Sequence, residues 1–112
     1  VLFGPRNDGD PATALSATTL LEPLHEALLA TAGWSCTLLS SEAAAKERLV
    51  RLLREAAPAL IFTATHGLQL PPEDPRQREL QGALLCQDWP GPRGPAARRA
   101  CKERLAKGER AA

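Results

Sequence analysis

The chain predicts an α/β fold on a mainly parallel sheet with the strand order 2-1-3. Short apolar, β-branched runs alternate with helical patterns as strand, helix, strand, helix, strand. The links between them are short, as in right-handed βαβ units. Glycine and proline punctuate the boundaries at Gly4-Pro5, Gly33, Pro58 and Gly67.

Val1-Leu2-Phe3 reads as a first strand already under way, and the chain contains no Met, so a longer parent sequence is expected. Gly4 to Pro11 is dense in turn formers and reads as loop. Leu15, Thr18, Thr19, Leu21, Leu24, Leu28 and Leu29 then recur at helical spacing over Ala12 to Ala32. Pro23 lies inside this stretch, so the helix is kinked or two shorter helices abut. Gly33 closes it, and Trp34 to Leu39 is the second strand, which takes in Cys36 as a core residue. Ser40 or Ser41 caps a helix over Ala43 to Ala57, with Ala45, Leu49, Leu52, Leu53 and Ala56 on its apolar face. Pro58 stops it, and Ala59 to Thr65 reads as a third strand covered on both faces. Pro71 to Gln77 is loop, and Gly82 to Cys86 is a short strand candidate.

At 112 residues there is room for one small core. The net charge of +1 favours neither nucleic acid nor a membrane surface, but it averages two different segments. Residues 1–92 carry 7 Lys/Arg against 11 Asp/Glu, and residues 93–112 carry 7 against 2. The body, 1–92, is therefore the folded domain. The tail, 93–112, is a basic Ala/Arg-rich extension expected to be disordered or a frayed helix, and it lacks aromatic residues for stacking on bases. No apolar run approaches a membrane span and no signal peptide is visible. Three widely spaced cysteines fit a reduced, cytoplasmic protein with no metal site or cofactor.

His66-Gly67 stands at the carboxyl end of the third strand, where α/β sheets gather reactive side chains. An imidazole there suits proton transfer near neutrality. Gly67 lets the backbone turn and bring its N–H near a substrate oxygen. The bland alternative is a histidine that closes a strand and bonds to a loop carbonyl. Asp8 and Asp10 reach the same edge, where they suit a cation, a phosphoryl group or a substrate, or serve turn chemistry alone. His25, beside Glu22 and Glu26, reads as a solvated helix residue. Cys86 reads as a small core residue.

Ala64-Thr65-His66-Gly67, then Asp74-Pro75-Arg76-Gln77, then Gln81 to Gly91 resemble the caspase-like cysteine peptidases, in particular bacterial proteins of the gingipain and CHAT-domain type. The likeness covers residues 1–92. It implies the amino-terminal part of a three-layer sandwich in which His66 is the catalytic histidine and Gly67 the oxyanion donor. Asp74, Asp88 and Trp89 would flank the cleft, and the parent would take a peptide or protein substrate. The family's nucleophile follows an apolar strand beyond Trp89, and no such strand is present in this chain. Cys101 sits in Arg98-Arg99-Ala100-Cys101-Lys102 without an apolar strand before it, so neither Cys101 nor Cys86 is expected to fill that role. The expected state of the chain alone is inactive. Two alternatives stand beside this one: a non-catalytic interaction or scaffold module, and an α/β-hydrolase fragment using His-Gly in its oxyanion hole, for which no Gly-x-Ser-x-Gly elbow is present.

Overall fold

The structure, a computed structural model, describes residues 1–89. Expectations for residues 93–112 and for Cys101 lie outside them.

Leu2, Phe3 and Gly4 are all buried, as befits β1 (Leu2–Gly4) at the centre of the sheet. β2 (Leu38–Ser40) and β3 (Phe62–Thr63) flank it in parallel, giving the expected order β2-β1-β3. Phe3 stands opposite Leu39 on one side and Thr63 on the other.

Successive β1 side chains point to opposite faces. Fully buried Phe3 packs with Leu39, Ala44, Leu49 and Cys86. Burying such a ring is worth roughly 2–3 kcal/mol. Gly4 turns the other way, towards Leu21, and a Cβ at Gly4 would collide with the Leu21 side chain. The glycine therefore sets how closely the first helical segment approaches the sheet.

That segment is α1 (Pro11–Ser16), a π-helical turn over Ala17–Leu21, and α2 (Glu22–Leu29). Pro23 falls in the first turn of α2, and a widened turn before it spares the proline an interior hydrogen bond. The buried positions are Thr13, Ala17 and Leu21, four residues apart, while Leu15 and Leu29 are exposed. Of the expected stripe only Leu21 is buried; Leu24 and Leu28 are half-buried, and Leu15, Thr18, Thr19 and Leu29 are exposed, because the face against the sheet runs through Thr13, Ala17 and Leu21.

The second strand is shorter than expected: Trp34, Ser35 and Cys36 precede β2, and Cys36 is half-buried rather than core. The second helix is also broken. A 3-10 turn (Ser41–Ala44) is followed by extended Ala45, by α3 (Lys46–Arg51) and by a second π turn (Leu52–Ala56). Only Leu49 of its apolar face is fully buried; Leu53 and Ala56 are exposed. Ser40 stands at the cap position of the 3-10 turn, but its side chain makes no cap bond.

The third strand departs most. β3 spans two residues, and Phe62 and Thr63 are both exposed, contrary to a strand covered on both faces. The reason is position. β3 is an edge strand, and among the described residues no further strand pairs with its outer side. Gly82 to Cys86 adds only a single antiparallel bridge, Gly67 to Leu84, and α4 (Gln77–Leu80) is one short turn before it.

Candidate functional site

Beyond β3, Ala64 N–H donates to Phe3 O at 2.9 Å, so the parallel pairing runs one residue further and carries the chain to the carboxyl edge. The returning segment then takes over. Thr65 Oγ1 donates to Leu85 O at 2.6 Å, and Leu85 N–H donates to His66 O at 2.9 Å. Leu68 N–H donates to Ala83 O, and Gly82 N–H to Leu68 O, both at 2.8 Å. His66-Gly67 is therefore held between the sheet and residues 82–85.

In this ladder Gly67 and Leu84 form the pair that exchanges no hydrogen bond, so the Gly67 N–H points away from the returning segment. A Cβ at Gly67 would lie 3.3 Å from Gly82 Cα. The glycine is favoured by the close approach of two backbones as well as suited to present a donor.

The His66 side chain finds Asp10. Nε2 lies 2.7 Å from Asp10 Oδ2, with the two side chains 52% and 26% exposed. Asp10 is also the N-cap of α1, its Oδ1 accepting from Ala12 N–H at 3.0 Å. Burial pushes the Asp10 carboxyl up, but the His66 hydrogen bond, the Ala12 N–H, the His66 charge and the Thr13 backbone together hold it below the usual 3.8. An ionised carboxylate only accepts, so Nε2 carries a proton in either charge state of the ring, and in the neutral form Nδ1 is the open nitrogen. Of the two aspartates in the first loop, Asp10 is the one that meets His66. Asp8 lies exposed two residues earlier.

The other candidates are placed differently. Asp74 is bound by Arg76, whose Nη2 and Nε donate to it at 2.7 and 3.0 Å, and it opens the turn into α4. Asp88 Oδ1 accepts from the Lys46 N–H at 2.9 Å and so caps α3 from 42 residues away. Trp89 is half-buried, its N–H donating to Cys86 O. Cys86 is buried with Phe3 and Leu49, and burial first, then the Asp88 charge, pushes its thiol up. That environment disfavours a thiolate. His25, expected in solvent, is half-buried with Nε2 3.2 Å from Cys36 O. A shallow cavity of about 420 Å³ lined by Glu42, Glu47, Arg48 and Arg51 includes neither His66 nor Asp10. Among the described residues no group of three or more His, Cys, Asp or Glu is arranged to hold a metal ion, and no helix is long and apolar enough to cross a membrane.

Two contributors were missed in the sequence. Gln87, 6% exposed, accepts from Arg6 N–H at 2.7 Å and donates to Arg6 O at 2.9 Å. Its partner is 81 residues distant, and no local pattern marks it. Thr13, 2% exposed, accepts from Asn7 N–H at 3.0 Å. Here a signal existed: Asp10-Pro11 is an N-cap followed by a first-turn proline, and it places Thr13 in the first turn.

Compared with family models, with curated proteins and with solved structures, the chain matches none.

Proposed function

We propose that residues 1–92 are the histidine-bearing part of a caspase-like cysteine peptidase domain of the three-layer type, inactive as this chain alone. The observation that carries the reading is the 2.7 Å contact between His66 Nε2 and Asp10 Oδ2 at the carboxyl edge of a parallel sheet, beside the outward N–H of Gly67. The sequence resemblance supplies the reaction class, with no matched relative behind it.

In this reading a thiolate attacks the peptide carbonyl, forming a C–S bond. Gly67 N–H donates to the developing oxyanion, and the His66 imidazolium gives the Nδ1 proton to the departing amine as the C–N bond breaks. Asp10 accepts from Nε2–H throughout and fixes the ring. Water then gives a proton to Nδ1 and attacks the thioester; the C–O bond forms, the C–S bond breaks, and the acid product leaves with the thiolate and the His66 imidazolium restored. The nucleophile is assigned to neither Cys36 nor Cys86: Cys36 lies beside His25, which meets its backbone oxygen, and Cys86 is buried in the core with Phe3 and Leu49. The substrate is a peptide or protein, and the chemical step calls for no metal or organic cofactor.

The test is labelling by a thiol-directed peptidyl probe, applied to this chain and to the product encoded through the coding sequence beyond Trp89. The reading expects no His66-dependent labelling of the 112 residues. It expects labelling of the longer product at a downstream cysteine, lost in His66→Ala. Peptide turnover by the 112 residues that depends on His66 would overturn inactivity. A longer product that stays unlabelled would favour the second reading, a non-catalytic interaction module, for which the exposed edge of β3 speaks.

A further inference from the structure

We infer that Gln87 and Thr13 are positioning residues that clamp the loop after β1 at its two ends and so hold the Asp10 carboxylate on His66. The loop from Arg6 to Asp10 contains Asn7, Asp8 and Gly9, residues that a free chain spreads over many conformations. An exposed ion pair gains little when its partners must first be ordered. A 2.7 Å contact between a loop aspartate and a half-exposed histidine therefore calls for a loop ordered by something else.

The two clamps supply that order. At the near end the Gln87 amide takes both backbone groups of Arg6, as a neighbouring strand would, and Gln87 is itself fixed by its N–H to Ala44 O at 2.9 Å. Buried Pro5 precedes this point. At the far end Thr13 Oγ1 accepts from Asn7 N–H and donates to Asp10 O at 3.2 Å, while Asp10 N–H donates to Asn7 O at 3.1 Å. Ala12 N–H then engages Oδ1, leaving Oδ2 for Nε2. The segment that bears Gln87 also bonds His66 O through Leu85 N–H, so one strap references both partners of the pair.

The inference deepens the proton-transfer reading of His66 and rests on it for its purpose, but its geometry is measured without catalysis. The experiment is a long-range 1H–15N correlation of the imidazoles in the full 112-residue chain at mildly alkaline pH, where imidazole is neutral. Wild type is expected to show a higher ratio of Nε2–H to Nδ1–H at His66 than a free histidine side chain, and Asp10→Ala to return it to the free ratio. Thr13→Val, nearly isosteric, is expected to lower the ratio of Nε2–H to Nδ1–H about threefold, as for an exposed pair that loses its order. Thr13→Ser keeps the hydroxyl and the ratio. Gln87→Glu keeps the acceptor for Arg6 N–H, loses the donor to Arg6 O, and is expected to shift the ratio in the same direction; it serves where Gln87→Leu does not fold. A purely structural role would lower the melting temperature in these variants without moving the His66 nitrogens. Folded Thr13→Val and Gln87→Glu chains with the wild-type ratio would overturn the clamp, and so would a wild-type His66 whose ratio is no higher than that of a free histidine side chain. The peptidase reading stands or falls separately, on the thiol probe.

Discussion

Gly67 meets two demands with one missing side chain. Its backbone lies against Gly82, where a Cβ would sit 3.3 Å from Gly82 Cα, and its N–H faces away from that contact. Gly67→Ala is therefore expected to cost about 1 kcal/mol through overpacking, seen as a lower denaturant midpoint. His66→Ala, at an exposed position, should stay within about 0.5 kcal/mol of wild type. Acid titration separates Asp74 from Asp10, whose carboxyls are both held low by their partners. Asp74 sits at about 2, chiefly through the Arg76 side-chain hydrogen bond, against 3.8 for a free carboxyl. A depressed folded pKa adds stability above the unfolded value and loses it as pH falls through the folded one. The Asp74 contribution is thus complete above 3.8 and fades towards about 2, and the Asp10 contribution has the same sign. Carboxyl NMR of Arg76→Ala should raise Asp74 only part of the way to the ordinary range, because the backbone N–H of residue 76 still donates to Oδ1, and should leave Asp10 in place. Mass-mapped alkylation should find Cys86 slower than half-exposed Cys36, because burial both screens the Cys86 thiol and disfavours its thiolate.

The helical elements are assembled from pieces whose joints are tertiary. α3 begins at Lys46 after extended Ala45, and its first N–H is taken by Asp88 rather than by a neighbouring serine. Asp88→Ala is expected to destabilise the chain by about 1 kcal/mol, as for a lost cap, measured by thermal melting. Ser40 presents the converse: its Oγ is buried without a partner, so Ser40→Ala should not lower the melting temperature. Helix content was readable from the periodicity over 12–32 and 43–57, because leucine and alanine spacing survives local distortion. The joints were not. A π turn at Ala17–Leu21 and a break at Ala45 depend on how Leu21 meets Gly4 and how Asp88 meets Lys46. Strand lengths were overread for a similar reason. Apolar composition at Trp34 to Cys36 and at Ala59 to Ile61 marks β propensity, whereas pairing needs a neighbouring backbone.

For the molecule as a whole, the outer side of β3, unpaired among the described residues, dominates the expected behaviour. Leu60 and Phe62 are 58% and 39% exposed, and residues 59–65 carry no charge to discourage edge pairing. Self-association is the expected outcome, visible as a concentration-dependent scattering mass that Thr63→Lys lowers. A monodisperse wild-type monomer with a cooperative melt would contradict it. The order β2-β1-β3 and the gathering of His66 and Asp10 at one edge followed from the sequence, since short alternating strands and helices with short links allow few chain paths. By itself the sequence determined the α/β class, the strand order and a histidine followed by glycine at a strand's carboxyl end. Only the tertiary structure decided that Asp10 is the histidine's partner, that Gln87 and Thr13 secure its loop, and that Asp88 caps a helix. Those contacts join residues up to 81 positions apart through single polar atoms, and no periodicity along a chain records such a pairing.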